Sequence, residues 1–159
     1  WMLLGGLLIS VLYGFSTFRV AVVEGASMQP TVRDGDYLLV DVRAYQRQGP
    51  ARFDVIIFDY PNDPRREFIK RVVGLPGETI RIHRGLILVD GRLLQEPYHP
   101  VVESEEYGPV TIPPGHLFVM GDNRPHSSDS RLWGPVVTWR IHGRAQWIVW
   151  PLRNAAVLS

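Results

Sequence analysis

Hydrophobic positions fall into two regimes along the chain. The first is continuous: residues 1–18, WMLLGGLLISVLYGFSTF, hold no charged side chain, and Arg19 ends the run. As a helix it would span ~27 Å at ~1.5 Å per residue, close to the hydrocarbon thickness of a bilayer. A cleaved secretory leader would begin with basic residues and end on a small-x-small site, and this run does neither. A buried core helix would show a polar face. The pattern predicts a transmembrane helix over 1–18, cut short at its front because the chain begins with Trp1.

The second regime is punctuated. Apolar runs separated by Gly, Pro and Asp predict strands at 19–23, 37–42, 54–59, 68–73, 79–82, 86–89, 116–120 and 143–150. Turns are expected at RDGD, GLPGE, VDGR and IPPGH, and LILVDGRLL reads as a hairpin on an Asp-Gly turn. No amphipathic helix of three turns stands out. Residues 95–115, QEPYHPVVESEEYGPVTIPPG, are polar and Pro-rich and read as a short exposed excursion. The expected fold is mostly β, with antiparallel sheets forming a β-barrel-like or sandwich domain over 19–159 behind the anchor.

Composition removes several function classes. A chain of 159 residues suits one domain with its own core. The net charge of +1 gives no basic face for nucleic acid. The absence of cysteine excludes disulfides, thiolate metal sites and a cysteine nucleophile. The five histidines show no metal spacing, so neither metal nor cofactor is expected.

One strand breaks the pattern. In EFIKRVVG, residues 67–74, Phe68, Lys70 and Val72 share one face while Ile69, Arg71 and Val73 share the other. Each apolar face thus carries a cation, which is costly unless the side chain snorkels or has a task. Two polar stretches supply the task. EGASMQPTVRDGD, residues 24–36, places Ser27 in a small-residue loop. GDNRPHSSDSRLWG, residues 121–134, gathers Asp122, Asn123, Arg124, Ser127, Asp129, Ser130 and Arg131 as for an internal hydrogen-bond network. A serine can be activated by a neutral lysine amine in place of histidine. That amine needs apolar surroundings that bring its pKa from ~10.4 towards ~7 to 8. A lysine in an apolar strand meets that need.

SMQPT, KRVVGLPGE and GDNRPHSSDSRLWGPV resemble, in order and spacing, the signature boxes of the bacterial type I signal peptidases. RFDVIIFDYP looks like the weaker box between the first two, and GRAQWIVW like the closing strand. The resemblance implies Ser27 as nucleophile, Lys70 as general base and Ser127 as the residue that orients the lysine. It implies that Arg71, Asp122, Asn123, Arg124, Asp129 and Arg131 shape the site, with Asp122 the partner of Arg71. Met28 and Pro30 match residues that pack beside the nucleophile, and the Ser27 N–H matches half of the oxyanion hole. Two positions depart from the pattern. Gly25 stands where one branch has an oxyanion-donating serine, and Phe53 stands where a glycine is common.

The implied activity is removal of signal peptides from exported preproteins after a small-x-small site. Val22, Val23, Met28, Phe68 and Ile69 would line shallow substrate pockets, with an extended peptide pairing along the strands that lead to Ser27 and Lys70. The partners are preproteins and the lipid bilayer. A monomer is expected, with its catalytic domain on the outer face of the cytoplasmic membrane. Other readings fit less well. A Ser-His-Asp hydrolase would need a second Gly in GASMQ and a βαβ framework. Asp34 and Asp36 read as turn residues and not as an aspartic protease pair. Self-cleaving repressors share the Ser-Lys chemistry but need a DNA-binding segment. A tethered, non-cleaving peptide binder fits everything except the trio Ser27, Lys70 and Ser127.

Overall fold

The computed structural model describes residues 17–158. The anchor expected over 1–18 therefore lies, but for its last two residues, outside the described residues. Phe18 already belongs to a strand, and among the described residues no helix is long and apolar enough to cross a membrane. The strands are β1 (Phe18–Val22), β2 (Tyr37–Asp41), β3 (Val55–Asp59), β4 (Glu67–Gly74), β5 (Thr79–His83) and β6 (Leu86–Val89). They continue with β7 (Arg92–Leu93), β8 (Tyr107–Thr111), β9 (His116–Met120), β10 (Val136–Val137), β11 (Ile141–Trp150) and β12 (Ala156–Val157), and one helical turn, α1 (Ser130–Trp133), precedes β10.

The named strands pair antiparallel and form two sheets, and one isolated parallel bridge joins Val101 to Asn123. The larger runs β1-β2-β11-β3-β4-β9-β10, with β12 added to β11, and the smaller runs β7-β6-β5-β8. The expectation of a barrel is corrected: the large sheet is open. Its terminal strand β10 is only two residues long, and β1 pairs with β2 alone among the described residues. The stretch 95–115 is not wholly an excursion either, since it contains β8, which pairs with β5 through Thr79–Thr111 and Ile80–Val110. The expected hairpin is present, with Val89 opposite Arg92 and positive φ at Asp90 and Gly91.

Apolar side chains collect in three clusters. One, under β1, β2, β3 and β11, holds Val23, Met28, Val32, Leu38, Val40 and Ile57. The second joins the small sheet to β4 and β9 through Val73, Ile80, Ile82, Ile112, Phe118 and Met120. The third holds Ile56, Phe58, Val72, Leu117 and Val119. The sheets meet at Gly74, where an added Cβ would lie 2.4 Å from Ile112 Cδ1 and 2.8 Å from Ile80 Cδ1. Strand β4 is thus fixed from several sides, and it presents Lys70 from a rigid element.

Candidate active site

Ser27 lies on the loop between β1 and β2, and its neighbours hold that loop down. Val23 and Met28 are buried on either side of it, 5% and 1% exposed. Val23 N–H donates to the Asp36 carbonyl at 2.9 Å, Val32 N–H to the Met28 carbonyl at 2.9 Å, and Gly25 N–H to Asp34 Oδ1 at 2.7 Å. Asn123 fixes the carbonyls next to the hydroxyl: its N–H donates to Ser27 O at 3.0 Å and its Nδ2 to Ala26 O at 3.1 Å. The Ser27 N–H donates to no group among the described residues. It therefore stays available to a developing oxyanion. Gly25 has open space around an added Cβ, but its φ of +93° disfavours any L side chain. A serine hydroxyl at that position is therefore conformationally costly.

Lys70 Nζ lies 2.8 Å from Ser27 Oγ and donates to the Ile69 carbonyl at 2.8 Å. The amine stands 5.1 Å from the centre of the Phe68 ring, and Lys70 is only 3% exposed. Burial brings its pKa down to about 8, although the carboxylates of Asp129 and Asp122 pull in the opposite direction. Arg71, on the other face of β4, is neutralised in place. It donates from Nε and Nη2 to Asp122 at 2.9 and 2.8 Å, with both side chains fully buried. Its Nη1 donates to the Phe53 carbonyl at 2.9 Å, and its guanidinium lies 3.9 Å from the centre of the Tyr98 ring. Phe53 makes this contact from a left-handed backbone, φ +74°, which explains why glycine suits the position.

Among the described residues Ser127 makes no hydrogen bond to Lys70, the contact that the resemblance implies. Its hydroxyl donates instead to Asp129 Oδ2 at 2.6 Å. The hydroxyl oxygen keeps its lone pairs while it donates there, so this bond does not stop it from accepting an N–H from the amine. Asp129 also accepts from Gly121 N–H at 3.0 Å and from Arg131 Nε at 2.8 Å. Burial alone would raise the Asp129 pKa, but the Arg131 guanidinium, the Ser127 hydroxyl and the Gly121 N–H together hold it below the ordinary value. Arg124 Nε donates to the Gly121 carbonyl at 2.9 Å, while its Nη atoms reach Glu96 and Tyr98. Sequence reasoning assigned nothing to Glu96, Tyr98 or Glu105, the partner of Arg131, because they fall in the polar stretch read as exposed.

A cleft of about 480 Å³ opens above the pair. Val22, Val23, Phe68 and Ile69 line it as expected, joined by Ala21, Leu38, Ile57, Arg66, His126 and Ser128. Met28 does not line it, because its side chain is packed into the core beneath the loop. Two strand edges face this space. Among the described residues β1 has a free outer edge, and β4 pairs with β9 only from Arg71 onward, which leaves 67–70 open on that side. His126 touches Asn123 Oδ1 through Nδ1 at 3.2 Å and not Ser27, so the described site holds no Ser-His pair. No cluster of three or more metal-ligating side chains occurs among the described residues.

The family described as signal peptidase, peptidase S26, matches residues 1–150. A probable signal peptidase I-2 of Synechocystis sp. is 33% identical over 170 residues, covering 100% of this chain and 78% of its own. Signal peptidase I of Leptolyngbya laminosa is 35% identical over 164 residues, covering 97% and 80%. A crystal structure of a signal peptidase I from Enterococcus faecalis V583 superposes with a TM-score of 0.54 at 30% identity, covering 62% of this chain and 98% of its own.

Proposed function

The chain belongs to the signal peptidase family, peptidase S26, and is a hydrolase of the type I signal peptidase class, and from that premise we propose a Ser-Lys mechanism. The observation that carries it is the 2.8 Å approach of a buried amine to the Ser27 hydroxyl. In its neutral form Lys70 offers one lone pair, and the contact to the Ile69 carbonyl engages an N–H and turns that pair towards Ser27. As Oγ bonds to the scissile carbonyl carbon, its proton passes to Nζ. The oxyanion is met by the Ser27 N–H. The ammonium then protonates the leaving amine, which departs and leaves an ester on Oγ. Lys70, neutral again, takes a proton from water; hydroxide adds to the ester, and the acid is released as Oγ recovers its proton.

The substrate is an extended segment laid between the free edges of β1 and β4. Alternate side chains of such a strand point towards the floor, where Val23, Leu38 and Ile57 are already buried in the core. A floor made of packed core residues leaves room for small side chains only, which accounts for selection of a small-x-small site in exported preproteins. The apolar run that leads into β1 anchors the chain in the cytoplasmic membrane, and the nine Cα-to-Cα steps from Phe18 to Ser27 reach at most ~30 Å when extended. The catalytic domain on the outer face thus works close to lipid. The test is to incubate wild type, Ser27→Ala and Lys70→Arg with a secretory precursor and map the new N-terminus by mass spectrometry. Cleavage after a small-x-small site by wild type alone is the expected result, and cleavage by either variant would overturn the mechanism.

A further inference from the structure

The Ser27 loop separates two depressions that share a wall. Gly25, Ala26 and Ser27 face the cleft described above, whereas Gln29, Pro30 and Arg33 face a second depression of about 500 Å³ completed by Val101, Asn123 and His126. His126 lines both. His126 therefore joins the two depressions, and an extended peptide with its scissile carbonyl at Ser27 would pass it on the way into the second. We propose that this second depression receives the segment that follows the cut bond, and that Arg33 selects there for an acidic side chain; the inference rests on the peptidase reading. Arg33 is exposed, and its guanidinium has no carboxylate within ion-pair distance among the described residues; its hydrogen bonds are those of its backbone, whose N–H donates to Asp36 Oδ2 at 2.8 Å and whose carbonyl accepts from Asp36 N–H at 3.1 Å. Of the other polar residues that line the depression, Asn123 and His126 are already held, with Asn123 Nδ2 on the Ala26 carbonyl and Asn123 Oδ1 against His126 Nδ1. No acidic side chain lines this depression, whereas the first cleft carries Glu24 and Glu67 against Arg66. The charge reading is therefore one-signed on the leaving side and mixed on the other.

The experiment uses the full chain in detergent and peptides identical before the cut, with Asp, Asn or Lys placed at each of the first three positions after it. Wild type, Arg33→Glu and Arg33→Gln are compared by kcat/KM. At one position Asp should outrun Lys by about threefold in wild type, the scale of a single exposed charge pair. Arg33→Glu should reverse that order, Arg33→Gln should level it, and 0.5 M salt should shrink it. Preferences before the cut should not change. Equal Asp-to-Lys ratios in wild type and Arg33→Glu would overturn the proposal. If wild type cuts a secretory precursor, only the Arg33 assignment is then lost; if it cuts neither precursor nor peptides, the peptidase reading itself falls.

Discussion

Gly121 packs against Ser27 backbone to backbone: a β-carbon on Gly121 would sit 2.4 Å from the Ser27 carbonyl oxygen and 2.3 Å from the Ser127 hydroxyl. The loop of acids and arginines and the Ser27 loop therefore approach as closely as they do only because this residue has no side chain. Gly121→Ala should push the two loops apart and move Oγ away from Nζ. A displacement of that order costs ~100-fold in turnover. Steady-state kinetics should show the loss mainly in kcat, and an unchanged kcat would mean that the approach has no bearing on catalysis.

Lys70 gives opposite signs for activity and stability. A fall of its pKa from 10.5 to about 8 corresponds to ~3 kcal/mol against the charged amine in the folded state. Between those values the unfolded chain binds more protons than the folded one, so stability rises with pH through that window and the full cost applies below it. Lys70→Met should therefore be inactive yet melt at a higher temperature than wild type at pH 7, with the gap closing towards pH 10. Lys70→Arg should be inactive as well, since a guanidinium does not give up its proton. Calorimetry at the two pH values reads the first effect directly; a Lys70→Met protein less stable than wild type at pH 7 would contradict it.

Ser127→Ala should keep measurable activity. The hydroxyl touches Asp129 and not the amine, so its loss loosens a support of the site without removing a reacting group. Losing a supporting hydrogen bond of this kind costs ~10- to 100-fold. A loss as deep as that of Ser27→Ala would place the hydroxyl on the reaction path itself.

Glu96→Gln should leave the Arg124 guanidinium without its charge partner at a site where Arg124 is only 4% exposed. Breaking a buried pair from one side costs about 3 kcal/mol or more. Denaturant unfolding should show a lower midpoint with an unchanged slope. A neutral result would mean that Tyr98 and water replace the carboxylate.

Much of the site was legible in the sequence because its signal is local. A lysine in an apolar strand, a serine in a small-residue loop and a dense run of acids and arginines are each visible within a few residues, and their order made the family resemblance specific. The Arg71–Asp122 pair, whose partners lie 51 residues apart, came from the resemblance and not from a local signal. Strand identity was legible for the same cause: β6 and β9 fall where alternation and turn residues place them, while most other boundaries differ by one or two positions. What escaped is non-local. β8 carries Gly108 and Pro109 and no apolar alternation, and only its pairing with β5 makes it a strand. Glu96 and Tyr98 read as solvated loop residues because Arg124 and Arg71, their partners, lie more than twenty residues away in sequence. The Ser127–Asp129 bond was not foreseen, because which group a hydroxyl donates to depends on distances that spacing alone does not give. Barrel closure likewise depends on the two-residue length of β10.

In the proposed mechanism Ser27 is activated by Lys70 in its neutral form. The most direct measurement is kcat/KM against pH from 5 to 11 with a peptide free of titrating groups. The account predicts a rise through a single acid limb with a midpoint near 8, the pKa of the buried amine, followed by a plateau. A midpoint near ~6.5 would point to a histidine base, and a rate that climbs without plateau to pH ~10 would mean an untuned lysine; either result contradicts the account.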